Sequence, residues 1–364
     1  MRPGRRTLAI AAAALGSAAA GGALVQRRQV RNRRAEGRAA GAGEVELGSL
    51  RSASVTITTD DGLRLHAEVD DLDENPAGSP VRGDSAALTL VFVHGYALNL
   101  DCWHFQRLHF RGSYRMVFYD QRSHGRSERS DKDHATIDQL GSDLKRVLDQ
   151  TAAEGPVVLV GHSMGGMSIM TLAEDHPEIF GDRVVGVALI STTAGGLRAH
   201  RSISTLLPDR LMSQITPRLV AALARAPGVV DGARRAGSDI GFVATSKLAF
   251  GDEVPTSYIE FVDQMLARTS FDVLAEFFPH FDGFDKFAVL EAFESVPTVI
   301  ICGDHDLLTS IGHSRKMASR LPHARLVECP GAGHMVILER PKEVHAALEQ
   351  LIDESMSGSP PEPA

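Results

Sequence analysis

The chain has 364 residues, 43% hydrophobic and 23% charged, which bounds it to one large core with an insertion or two modest domains. Its net charge of −8 is uneven, because residues 1–40 hold nine Arg against one Glu and the rest of the chain carries −16. An acidic body argues against nucleic acid as a partner, and three cysteines at unrelated positions (Cys102, Cys302, Cys329) form neither a disulfide framework nor a metal-ligand pattern.

Residues 7–25 lack charge for nineteen positions, close to the roughly 20 needed to cross a bilayer, although alanine dominates them. Arginines flank the stretch, and the cluster from Arg27 to Arg38 outweighs Arg2, Arg5 and Arg6. That balance favours a single anchor with the body on the cytoplasmic face. Two alternatives stand beside it. Arg5-Arg6 and Ala18-Ala19-Ala20 suit an exported form, and the whole segment suits a disordered basic arm. Residues 35–50 read as a linker.

The body then alternates strands and helices. Ser54–Thr59 and Leu63–Val69 have period-two patterning around Asp60-Asp61-Gly62, which predicts a hairpin. A loop rich in Asp, Pro, Gly and Ser follows over 71–87. Leu88–Val93 and Tyr114–Tyr119 are apolar strands, and Thr136–Thr151 has helical spacing at Ile137, Leu140, Leu144, Val147 and Leu148. Val157–Val160 is a strand, Met167–Glu174 a helix and Val184–Ile190 a strand. Pro297–Cys302 and Ala324–Cys329 are the last strands, before an amphipathic helix near Lys342–Ile352. Apolar strands between helices predict a mostly parallel eight-stranded sheet, with helices on both faces and one antiparallel edge. Cys302 and Cys329 each close a strand, which suggests buried thiols, with a bridge open if those ends are adjacent.

Residues 195–294 interrupt the rhythm. Their patterns are helical, as in Arg210–Ala224 and Tyr258–Arg268, so they predict a helical lid inserted into a core of 50–194 and 295–354. Ten of the fifteen Phe fall between Phe242 and Phe293. Most are expected to form the lid's own core and the rest to line an apolar pocket. Residues 195–238 carry a net charge of +5 and are expected to be a solvated face, with contact to a membrane or an anionic substrate as the alternative. The tail from Ser355 to Ala364 reads as disordered.

The chemistry concentrates at Gly161-His162-Ser163-Met164-Gly165, a G-x-S-x-G pentapeptide between a strand and a helix. Such a turn pushes the serine out of the sheet and points a helix N-terminus at charge developing on a substrate. A serine hydroxyl needs a base, and the base needs an orienting acid. His334 in Gly331-Ala332-Gly333-His334 is the candidate base. Asp306 in Gly303-Asp304-His305-Asp306 is the candidate acid, with Asp304 in reserve. Two backbone donors for an oxyanion are expected from Met164 and Tyr96. Trp103 and His162 are candidate pocket residues. No metal motif and no phosphate-binding loop are present, so no cofactor is inferred.

These motifs, with His94-Gly95-Tyr96 and Tyr119-Asp120-Gln121-Arg122-Ser123-His124-Gly125-Arg126-Ser127, resemble the α/β-hydrolase-fold serine hydrolases, in order and at similar spacing. The His-Ser-Met-Gly-Gly form is similar to lidded monoacylglycerol lipases and related esterases. The resemblance implies hydrolysis of a lipophilic carboxylic ester through an acyl-enzyme. It leaves open a thioester, a carbon–carbon bond or cofactor-free perhydrolysis on the same machinery, and more remotely a non-catalytic ligand receptor. Membrane contact is expected through the N-terminal segment and the lid. The resemblance departs at Ser123, where the family usually has Gly. A positive φ there would cost serine about 1 kcal/mol or more. Asp120 and Arg122 are expected to brace that loop. The pattern says nothing about oligomeric state.

Overall fold

The structure, a computed structural model, describes residues 45–72, 88–197 and 239–357. The span at 7–25, the Arg210–Ala224 helix, most of the 71–87 loop and the last seven residues lie outside them. Among the described residues, no helix is long and apolar enough to cross a membrane.

One sheet of eight strands organises the molecule: β1 (Ser54–Thr58), β2 (Arg64–Asp70), β3 (Thr89–Val93), β4 (Arg115–Tyr119), β5 (Val157–His162), β6 (Val184–Ile190), β7 (Thr298–Gly303) and β8 (Arg325–Cys329). Their order is β1-β2-β4-β3-β5-β6-β7-β8. β1 and β2 pair antiparallel, as do β2 and β4, and every later pairing is parallel. Every residue of β3, β5 and β7 is buried, as a parallel sheet covered on both faces requires.

The α-helices of seven residues or more are numbered in chain order: α1 (His104–Phe110), α2 (Ile137–Thr151), α3 (Met164–Asp175), α4 (Asp239–Ala249), α5 (Thr256–Arg268), α6 (Phe271–Phe277), α7 (Ile311–Ala318) and α8 (Pro341–Ser357). Thr136 caps α2 by accepting from Gln139 N–H at 3.1 Å. The apolar stripe of α2 and the buried face of α3 share one core with Phe277, Phe281, Phe284 and Phe293. On the other face, residues of α1, α4, α5 and α8 share a core with Phe92 and Trp103.

Several expected boundaries move. The helix after the pentapeptide starts at Met164, not Met167, because Gly165 and Gly166 lie in its first turn rather than before it. The last helix runs to Ser357, so Ser355–Ser357 are helical rather than part of a disordered tail. Ser355 donates back to Leu351 O, and an added Cβ on Gly186 of β6 would meet its hydroxyl at 2.3 Å. The end of the expected linker is docked. Gly48 N–H donates to His104 Nδ1 at 3.2 Å, and Gly48 rests against Phe261. Short α1 gave no readable periodicity over seven residues.

Two buried ion-pair clusters stiffen the antiparallel edge. Arg107 bonds Asp70 and Glu68 at 2.6–2.9 Å. Arg122, fully buried, is bidentate to Asp143 at 2.6 and 2.7 Å and also bonds Asp61. Asp120 accepts from the N–H groups of Leu100 and Arg126, so both loop residues do brace the turn. Ser123 does adopt φ +66°. Its hydroxyl accepts from Ser130 N–H at 2.9 Å, a bond glycine lacks, which offsets part of the strain. The three cysteines are free and buried.

Candidate active site

The chain order reverses between β3 and β5, and loops at the carboxyl ends of β3, β5, β7 and β8 converge there. Such a switch point is where open α/β sheets bind ligands. At the end of β5, Ser163 has φ +54° and ψ −118°, outside the regions comfortable for a residue with a Cβ. The elbow persists because its neighbours hold it. Ser163 N–H donates to Ile190 O at 2.9 Å, and Thr192 Oγ1 donates to Ser163 O at 2.7 Å. Glycine is required at 165, where an added Cβ would sit 2.0 Å from Val93 O.

Three predicted residues meet in series. Ser163 Oγ lies 3.0 Å from His334 Nε2, and His334 Nδ1 lies 2.9 Å from Asp306 Oδ2. An ionised carboxylate only accepts, so Nδ1 carries the proton and Nε2 is free to accept one from the serine. Asp306 is buried. Burial pushes its carboxyl upward, but His334, Thr309 and its hydrogen bonds outweigh that and hold it below the usual carboxylate range. Its Oδ1 accepts from the N–H groups of Leu308 and Thr309, both at 2.8 Å, as an Asx turn does. Its Oδ2 also accepts from Thr309 Oγ1 at 2.8 Å. The reserve acid, Asp304, is elsewhere: it is exposed and accepts from Gly331 N–H at 2.7 Å, holding the start of the histidine loop.

Of the expected oxyanion donors, Met164 directly follows the serine and Tyr96 lines the same cavity as it. Met164 is the first residue of α3, where N–H groups have no intrahelical partner. Tyr96 lies in the loop after β3, and its side chain also reaches the insertion, donating from its hydroxyl to Leu274 O at 2.5 Å. That loop is braced by a network the sequence did not suggest. His94 Nδ1–H donates to Gly95 O at 2.8 Å, and its Nε2 accepts from Gln121 N–H at 2.9 Å. Gln121 returns a bond to His94 O at 2.6 Å and accepts from Ser168 Oγ at 2.9 Å. Burial, with His124 nearby, lowers the His94 imidazole to about 3, so it stays neutral.

Ser163 and His334 open onto a cavity of about 360 Å³. Its other lining residues are Gly95, Tyr96, Ala97, Leu98, Met167, Leu197, Ala244, Thr245, Leu248, Ala249, Val262, Leu266, Leu274, Phe278, Phe281, Leu308, Thr309 and Met335. No Asp, Glu, Lys or Arg is among them. The wall is mainly aliphatic. Of the ten clustered Phe, two line it, while Phe242, Phe250, Phe277, Phe284 and Phe293 are buried in the two cores.

Trp103 and His162 do not line this cavity. Both are fully buried, with Trp103 packed edge-on to His162 and tilted on Phe92. The sharp turn sends Ser163 and its neighbour in different directions. His162 Nε2 faces His334 O at 2.9 Å and so must carry the proton that bonds it. Thr309 is the polar neighbour that sequence reading missed. Its signal was its position three residues after Asp306, as in an Asx or capping turn.

Comparison with known proteins agrees with this architecture. A thermophilic esterase from Thermogutta terrifontis superposes with a TM-score of 0.63 at 22% identity, covering 84% of this chain and 100% of that one. A bromoperoxidase from Bacillus anthracis gives 0.62 at 20% identity, covering 83% and 100%. These likenesses establish the fold. In sequence, the chain is 25% identical over 274 residues to the mouse (Mus musculus) sn-1-specific diacylglycerol lipase ABHD11, covering 74% of this chain and 82% of that protein. It is 27% identical over 276 residues to a non-heme haloperoxidase of Rhodococcus erythropolis, covering 72% and 92%. The model of the Alpha/beta hydrolase family matches residues 90–347. This chain therefore belongs to the alpha/beta hydrolase family.

Proposed function

We propose that the chain hydrolyses carboxylic esters with an uncharged, lipophilic acyl group through an acyl-enzyme. The observation that carries this reading is the Ser163–His334–Asp306 series opening onto a cavity whose described lining holds no ionic side chain. Ser163 Oγ attacks the ester carbonyl carbon while His334 Nε2 takes the hydroxyl proton. Asp306 stabilises the imidazolium that forms, and the N–H groups of Tyr96 and Met164 hold the oxyanion. Collapse of the tetrahedral intermediate breaks the bond to the alcohol, which leaves with the proton from His334. Water then attacks the acyl-enzyme with His334 as base, releasing the acid and restoring Ser163.

Lipase and esterase relatives support the ester bond. A relative named 3-oxoadipate enol-lactonase 2, from Acinetobacter baylyi, is named for a carboxylate-bearing compound. The described cavity offers such an anion no cation. The haloperoxidase relatives favour a second reading, perhydrolysis of a short carboxylic acid on the same machinery. The test is a panel of p-nitrophenyl esters of increasing chain length, run beside peroxide-dependent bromide oxidation in acetate. Acyl esters of medium length should be preferred, and Ser163→Ala should lose about 10⁴-fold or more of kcat. Full esterase activity in Ser163→Ala would refute the mechanism.

A further inference from the structure

Glu339 is a buried carboxylate that the proposed reaction does not use. It lies in a single helical turn, Val336–Glu339, just after His334. Its Oε2 accepts from Gly251 N–H at 2.9 Å, and its Oε1 accepts from Gly333 N–H at 2.9 Å. Gly251 follows α4 of the insertion, and Gly333 directly precedes His334. One carboxylate thus bonds the backbones of two segments far apart in sequence.

Those backbones nearly touch. An added Cβ on Gly251 would lie 2.3 Å from Gly331 O, and one on Gly333 would lie 2.4 Å from Gly251 N. Two further bonds cross the same junction. Asp252 N–H donates to Gly331 O at 2.8 Å, and Met335 N–H donates to Ala249 O at 2.8 Å. On its other side, the histidine loop meets the sheet through Asp304 and through His162, which bonds His334 O. The aim of His334 at Ser163 therefore has two sets of supports, one from the sheet and one from the insertion.

We propose that Glu339 is a positioning residue that ties the loop carrying His334 to the helical insertion, so that the seat of the insertion sets the aim of the imidazole at Ser163. This rests on the reading of Ser163, His334 and Asp306 as the reacting series. Glu339 touches none of the reacting atoms. The geometry demands a carboxylate, because both its oxygens face N–H donors. A carboxamide would turn its NH₂ toward one of them and release either the insertion or the histidine loop.

The test compares wild type, Glu339→Gln and Gly251→Ala, the last disturbing the junction from the insertion side. Turnover of p-nitrophenyl butyrate, the rate of Ser163 labelling by a fluorophosphonate, Tm, and the low-field proton resonance of His334 Nδ1–H are measured on each. Both variants should lose about 10- to 100-fold in kcat and labelling rate, with KM within about twofold. The His334 resonance should shift or broaden while the proteins remain folded. Wild-type labelling rate and resonance in folded Glu339→Gln would overturn the proposal alone, as would a loss that only follows the folded fraction. A wild-type protein that the probe does not label would overturn the underlying reading, and the proposal with it.

Discussion

Replacing Asp306 with asparagine changes one acceptor atom into a donor, and the structure decides which. The Oδ1 position faces two backbone N–H groups, from Leu308 and Thr309, each at 2.8 Å. Neither backbone donor can turn away, so the amide oxygen of the introduced side chain must take that position. The NH₂ then falls at the Oδ2 position, 2.9 Å from His334 Nδ1. An NH₂ donor there requires Nδ1 to accept, which moves the imidazole proton to Nε2. That nitrogen, 3.0 Å from Ser163 Oγ, can no longer take the serine proton. A wrong tautomer with intact geometry costs about 10⁴-fold in kcat, or about 5.4 kcal/mol of transition-state stabilisation. Thr309 Oγ1 can rotate to accept from the new NH₂, so folding should survive. The assay is kcat on p-nitrophenyl butyrate, with ¹⁵N shifts of His334 reporting the tautomer. Asp304→Asn is the control. It weakens one exposed bond to Gly331 N–H and should keep activity within about fivefold, the factor that a bond worth about 1 kcal/mol amounts to. A loss below tenfold in Asp306→Asn, or an equal loss in Asp304→Asn, would refute the assignment.

Three other outcomes are expected. Leu274→Trp should fill part of the cavity, cutting kcat/KM for octanoate esters at least tenfold while sparing acetate, as read from the chain-length panel. Arg122→Met strands the buried Asp143 carboxylate and should cost about 3–5 kcal/mol in urea unfolding, with activity per folded molecule retained. Burial, as the largest cause, lowers His94 and His162 to about 3 and His124 to about 4. The unfolded chain therefore takes up their protons first as pH falls below the ordinary histidine value. Stability should be full at neutral pH and fall from about pH 6.5 downward, by about 1.4 kcal/mol per pH unit for each histidine. Urea midpoints unchanged between pH 7 and pH 5 would contradict this.

Much of the site was legible because each motif combines a strand end with a turn. Ser163 announced itself through flanking glycines, and His334 through Gly331 and Gly333. Gly303-x-x-Asp306 favours Asp306 over Asp304 as the acid, although both follow β7 within three residues, and the fold places Asp306 on the imidazole. Trp103 and His162, offered as pocket residues, are buried away from the cavity, because nearness in sequence to the oxyanion loop or to the elbow says nothing about which way a side chain points. Glu339 is hidden in the sequence because one of its partners, Gly251, comes near it only on folding, whereas Thr309 carries a local signal in its place three residues after Asp306.

Local chemistry by itself determined the sheet strands, the elbow and the order of nucleophile, acid and base. Apolar runs must be buried, and glycines at 161 and 165 leave room for the close backbone packing that an elbow requires. Tertiary structure alone decided which side chains wall the cavity and how the insertion joins the histidine loop. Those depend on crossings between segments such as Gly251 and Gly333, where distances of a few ångströms separate a hydrogen bond from a clash.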